Sequence, residues 1–299
     1  MGHNRLLLRL ISLAAVALIV FAACGEDEPP ASETGGGDGE NGAAAGDFTL
    51  ATEGHLTVGS DIPYAPFEFE DDTGAYTGFD VELVRAVSEK LGLENTDDDW
   101  LSLNFDTIFL QLQRGTRFDI VVAAVTAYAP EGSPASQTVA DRRELVDFTL
   151  PYYPSLQSLT VNTDKTPDIT GVDALPDGAR IAVQSATTGA FYAQETLTSA
   201  ELVEFPKASP MYQALLAGQV EGVFNDLPVS IEAVKGQDNL EVVEQVETGE
   251  EYAMAVNKDN PALKDAIDQA LQELFDDGTY AEIFKKYFPD QDLPDYASE

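Results

Sequence analysis

The chain has 299 residues, 44% hydrophobic and 23% charged, enough for one large or two medium packed domains. Sixteen Lys and Arg against 53 Asp and Glu give a net charge of −37, which repels phosphate backbones and argues against a nucleic-acid partner. One cysteine, Cys24, and two histidines, His3 and His55, leave no disulfide framework and no Cys- or His-rich metal site, so neither metal nor cofactor is expected.

The N-terminus reads as an address. Arg5 and Arg9 precede an apolar run from Leu10 to Phe21, which ends in Ala22-Ala23-Cys24. A basic start, an apolar middle and a small-residue exit are the layout of a secretory signal peptide, here residues 1–23. The run is shorter than the ~20 residues that span a bilayer comfortably. Its end is similar to a lipobox, which implies lipidation at Cys24, although Phe21 stands where Leu is usual. His3 then lies in the removed segment, and a His-dependent triad would need His55.

Cys24 opens the segment 24–47, whose other residues, 25–47, are only small, polar and acidic. They cannot bury a core and are expected to be a flexible acidic linker. Two of the basic residues and seven of the acids lie before residue 48, so the body 48–299 keeps 14 and 46, a net of −32. These acids are spread over the whole body, including helix faces that must be solvated. Net charge therefore says little about a ligand.

The body reads as two α/β units. Leu56-Thr57-Val58-Gly59 is a short strand, and residues 81–91 are a helix with its stripe at Val81, Leu83, Val84, Val87 and Leu91. Asp80 is placed to cap that helix, and Arg85 to pair with Glu89 on its outer face. Phe105, Ile108, Phe109 and Leu112 mark a second helix stopped at Gly115. The nearly continuous apolar run 118–125 is expected as a strand covered on both faces. Residues 127–138, with two prolines, Gly132 and Ser133, read as an exposed loop insertion.

The pattern recurs from residue 181. A strand at Ile181-Ala182-Val183 leads to a turn at 185–189 and a helix. A further helix starts at Ser209-Pro210 and ends at Gly218. A strand at 220–224 then delivers Asn225 and Asp226 at its C-terminal end. Ligands of open parallel sheets sit at such ends. Two late helices, with stripes from Leu263 to Phe275 and from Tyr280 to Tyr287, read as plain core.

Four ordered stretches carry a resemblance. Val58 to Phe69, Thr77 to Leu83, Arg142 to Tyr153 and Gly278 to Phe288 resemble the bacterial extracellular solute-binding proteins of family 3, the polar amino-acid binding subunits of ABC importers. The resemblance implies a two-lobe periplasmic-binding-protein-like α/β fold of type II, two parallel-sheet domains joined by two hinge strands. Lobe 1 would be 48–153 plus 251–290, lobe 2 154–250, and 291–299 a tail. It further implies a monomer outside the cytoplasmic membrane, held by its lipid, that meets the permease's transmembrane subunits.

The same resemblance places the ligand site. Arg142 matches the family's carboxylate-binding Arg, and a planar guanidinium suits that task. Thr126, Thr187 and Thr188 match hydroxyl positions, with Ala124 and Gln184 beside them. Asp226 matches the acceptor for the ligand ammonium, Tyr64 and Phe105 the aromatic walls, and Asp61 a contact to cationic side chains in some members. The insertion at 127–138, and Val139 where the family has a second Thr, depart from the pattern. The leaning is towards Arg, Lys, His or Gln. The alternative is a cyclohexadienyl-dehydratase-like enzyme on the same fold, whose general acid would be Glu68.

Overall fold

The computed structural model describes residues 48–298 apart from Thr116; the leader, Cys24 and the linker lie outside the described residues. The first half runs β1 (Val58–Ser60), β2 (Phe69–Glu70), β3 (Tyr76–Thr77), α1 (Phe79–Leu91), β4 (Trp100–Ser102), α2 (Phe105–Gln113), β5 (Ile120–Val121), β6 (Thr126–Tyr128) and α3 (Pro134–Leu145). The long strand β7 (Asp147–Asn162) leads into β8 (Arg180–Gln184), α4 (Thr188–Thr196), β9 (Glu201–Phe205), α5 (Ala208–Ala217), β10 (Gly222–Asp226) and α6 (Leu227–Val234). A second long strand, β11 (Leu240–Val256), returns the chain to α7 (Pro261–Asp276) and α8 (Thr279–Tyr287).

The topology has two lobes. In one, β4, β1 and β5 are parallel neighbours. In the other, β10, β8 and β9 are parallel neighbours. Between the two trios, β7 and β11 pair antiparallel from Asn162↔Leu240 at one end to Asp147↔Val256 at the other. The two hinge strands are therefore one continuous ribbon. Its register shifts between Glu247 and Glu250, where Gly249 adopts φ +65°. A side chain there would be strained and would press on the Pro130 ring.

Burial follows the apolar spacing. Val81, Leu83, Val84 and Val87 of α1 are fully buried, as are Leu263, Ile267 and Leu271 of α7 and Tyr280 and Phe284 of α8. The apolar core of the first lobe centres on Phe67, whose ring meets Phe79, Tyr153, Tyr252 and Phe288 at 5.1–6.3 Å between centroids. The ring of Tyr64 stacks on it at 6.3 Å, so this core reaches the inter-lobe cleft.

Several local expectations are corrected. The helix α1 starts after Gly78, whose φ of +128° and close approach to the Phe67 carbonyl leave no room for a Cβ. Asp80 thus lies inside the first turn with its carboxylate turned into the core. Arg85 pairs with Asp97 at 2.6 Å rather than with Glu89. The run 118–125 is extended only at Ile120–Val121, because Ala124 takes φ +46° and turns the chain. The presumed loop 127–138 contributes the end of β6 and the first turns of α3, with Ser133 as N-cap and Pro134 at N1. By contrast, α5 begins one residue before Ser209, with Lys207 as N-cap.

Removing the Phe67 ring should open a cavity at this centre. Phe67→Ala is expected to destabilise the protein by about 3–5 kcal/mol, whereas Phe191→Ala, at a 43% exposed position, should cost less than about 0.5 kcal/mol. Urea unfolding of both variants checks the contrast.

Candidate functional site

The carboxyl ends of the parallel strands face one another across the ribbon and enclose a cavity with an empty volume of about 330 Å³, its mouth included. All ten residues named from the sequence line it: Asp61, Tyr64, Phe105, Ala124, Thr126 and Arg142 from one lobe, and Gln184, Thr187, Thr188 and Asp226 from the other. Ala123 also lines it, and no sequence signal separated it from its neighbours. His55 lies elsewhere, with its Nδ1 3.3 Å from Asp99. Among the described residues there is no group of three His, Cys, Asp or Glu that could hold a metal ion.

Arg142 comes from the last turn of α3 and is only 5% exposed. Its guanidinium lies over the rings of Phe105 and Phe109, 5.2 Å from each centroid. It donates to the carbonyls of Thr126 at 2.8 Å and Ala186 at 3.3 Å. These two bonds leave three of its five N–H donors unused. Burial pulls its pKa down to about 10, and the charges of Glu250 and Asp226 resist that fall. Neither carboxylate forms an ion pair with it. A guanidinium buried this way calls for an anion.

Arg143 is the next residue along the chain, and it would take the place of Arg142 if the insertion shifted the family pattern by one residue. It is exposed and sits over the rings of Tyr128 and Phe148 at 4.7 and 5.5 Å, donating to the Ala127 carbonyl. It does not line the cavity. Successive positions on α3 thus turn Arg142 into the cavity and Arg143 out to solvent.

Opposite Arg142, Thr187 is the N-cap of α4 and its hydroxyl accepts from the Ala190 N–H at 3.1 Å. The start of α4 presents backbone N–H groups and a partial positive charge to the cavity. Asp226, at the end of β10, accepts from the Tyr64 hydroxyl at 2.7 Å and from Gln157 Nε2 at 2.5 Å. It occupies the N-cap position of α6 but makes no side-chain cap bond. Burial raises its pKa, while hydrogen bonds and the Arg142 charge act the other way.

Two further residues at the site were missed by sequence reasoning. Glu250, on the hinge strand β11 and 1% exposed, accepts from both Thr126 Oγ1 and Thr188 Oγ1 at 2.7 Å. Two of the three hydroxyls expected around the ligand thus have their protons committed to a carboxylate of the chain. Lys207 crosses from α5 to the other lobe, where it pairs with Asp61 and donates to the carbonyls of Leu103 at 2.8 Å and Ile62 at 3.2 Å. Gln184 Nε2 donates to the other oxygen of Asp61 at 2.6 Å. The only signal for Lys207 was its place just before a helix start; nothing pointed to Glu250, one acid among several along a strand.

Behind the cavity wall lies a buried acid cluster. Asp80 Oδ2 accepts from the Ala124 N–H at 3.0 Å and the Tyr152 hydroxyl at 2.9 Å, which fixes the turn at Ala124. Glu68 is fully buried beside Asp80 and Ser60 and does not line the cavity. Burial, then the neighbouring Asp80 and Asp61, hold its pKa far above the carboxylate range.

Residues 56–290 match the model of the bacterial extracellular solute-binding proteins, family 3. The chain belongs to this family. It is 27% identical over 276 residues to an L-cystine-binding protein of Bacillus subtilis (strain 168), covering 91% of this chain and 94% of that protein. It is 27% identical over 247 residues to an ABC transporter arginine-binding protein of Escherichia coli (strain K12), covering 81% and 94%. An ancestral arginine-binding protein bound to glutamine superposes with a TM-score of 0.70 at 30% identity, covering 79% of this chain and 99% of that one. All three are named as amino-acid-binding proteins, and the family model as one of solute-binding proteins, which supports a non-enzymatic role.

The buried acids set a pH dependence. Burial lifts Asp61 and Asp80 each from 3.8 to about 6. A carboxyl that holds its proton more tightly when folded favours the fold below its unfolded pKa and loses that contribution as pH rises through the folded one. Stability should therefore fall as pH rises from about 4 to 6, by on the order of 3 kcal/mol for each group. Asp80→Asn should flatten the profile, as read from urea midpoints at pH 4, 5, 6 and 7.

Proposed function

We propose that this protein is the substrate-binding subunit of an ABC importer, closing two lobes, 48–153 with 251–290 and 154–250, on a polar α-amino acid. Arg142 is the observation that carries the reading. A buried cation with three unused donors, facing the start of α4, suits a carboxylate. Asp226, held by Tyr64 and Gln157 in the same cavity, suits the ammonium. The two charges together select a zwitterion over a sugar or a simple acid. The dehydratase reading loses its general acid, because Glu68 is sealed in the core away from the cavity.

The family is extracytoplasmic. We further assign membrane attachment to lipid at Cys24, supported by the lipobox-like Phe21-Ala22-Ala23-Cys24 after the apolar run. Two or more acyl chains, at about 0.8 kcal/mol per buried CH₂, hold a protein stably to a bilayer. Mass spectrometry of the native N-terminus should find a diacylglyceryl cysteine at position 24; an unmodified chain starting elsewhere overturns the assignment.

The amino-acid reading is tested at Arg142. A thermal-shift screen against the twenty amino acids should show stabilisation by at least one of them, since a ligand of the folded form raises stability by mass action. Calorimetry with that ligand should then show a loss of about 30-fold to several-thousand-fold for Arg142→Ala. Arg142→Lys should recover part of it, because an ammonium lacks the planar fork. Arg143→Ala should change affinity by less than about twofold. Unchanged binding in Arg142→Ala would place the carboxylate elsewhere.

A further inference from the structure

With a ligand's carboxylate assigned to Arg142 and its ammonium to Asp226, Asp61 is the remaining charged residue of the cavity lining, which leaves it to the ligand's side chain. Its charge is already answered within the chain. Lys207 takes one carboxylate oxygen and Gln184 the other. The Lys207 ammonium has three donors, and all three are used, on Asp61, Ile62 and Leu103. Gln184 likewise directs its amide nitrogen to Asp61 and to the Pro206 carbonyl, while its carbonyl oxygen receives no bond among the described residues. The side-chain end of the cavity therefore offers an acceptor on a neutral amide and a carboxylate neutralised by a fixed cation.

We propose that Lys207 is a specificity-determining residue that excludes cationic side chains and selects an α-amino acid with an uncharged polar side chain, an amide above all. This rests on the amino-acid reading given above and narrows it. A guanidinium or ammonium that reached Asp61 would have to displace Lys207 or stand beside it, and the displaced ammonium would leave two carbonyls of the opposite lobe without their donor. Discrimination then comes from repulsion built into the wall as much as from attraction to the preferred ligand. An amide N–H₂ group meets the Gln184 carbonyl with no such conflict.

The test is a selectivity ratio, because weakening the link between the lobes lowers every affinity together and leaves a ratio unmoved. Calorimetry on the full chain would compare L-glutamine and L-asparagine with L-arginine and L-lysine. The wild type should bind one of the amides at least about tenfold more tightly than either cationic amino acid. Lys207→Ala should shift that ratio by about tenfold or more towards L-arginine, since Asp61 is then unpaired. Adding Asp61→Asn to Lys207→Ala should abolish the gain. The inference is overturned if L-arginine or L-lysine binds the wild type as tightly as the better amide, or if Lys207→Ala leaves the ratio within about threefold. Those outcomes would leave amino-acid binding itself intact. Binding of none of the twenty amino acids by the wild type would overturn the underlying reading, and this inference with it.

Discussion

The antiparallel pairing of β7 with β11 is the constraint on which everything else depends. One ribbon, from Asn162↔Leu240 to Asp147↔Val256, serves as the central pair of both lobes. Each lobe adds a parallel trio to its own end of the ribbon, so the carboxyl ends of both trios face the same gap. Two strands joined over this length resist shear between the lobes but allow bending where pairing is interrupted. Of the ribbon's four register shifts, the one that skips most residues of β11 falls between Glu247 and Glu250, at Gly249.

The cavity is where the two lobes exchange polar groups. Tyr64 of one reaches Asp226 of the other, Arg142 reaches the Ala186 carbonyl, and Lys207 and Gln184 both reach Asp61. Each bond depends on a residue whose own placement is set by the fold behind it. The turn at Ala124 is held by Asp80, and Asp80 is held by Tyr152 on β7. The ribbon thus reaches the cavity wall through a chain of buried hydrogen bonds.

The architecture was legible because it is written in apolar spacing and in ordered motifs: the stripes of α1, α7 and α8 and the strands delivering Asp61 and Asp226 follow from residue type alone. The ten residues carried over by resemblance converge on one cavity. What escaped was tertiary. Ser133-Pro134 and Ser209-Pro210 are the same two-residue signal, yet the first begins α3 and the second lies inside α5. Composition could not show that the Gly- and Pro-rich stretch before Arg142 becomes helical. The partners of Asp61 and of the two threonines lie 146, 62 and 124 residues away in sequence, and no local pattern announces a pairing at that separation.

The bonds of Glu250 have a consequence for how affinity is to be understood. Thr126 and Thr188, one from each lobe, both give their protons to a single carboxylate on the hinge strand. A ligand whose own carboxylate draws on those hydroxyls enters by substitution: it takes over donors that an acid of the protein already holds. The free energy of such an exchange is the difference between two sets of charge-assisted hydrogen bonds rather than the sum of the new ones. Contacts at these threonines then fix where a ligand sits far more than they set how tightly it is held.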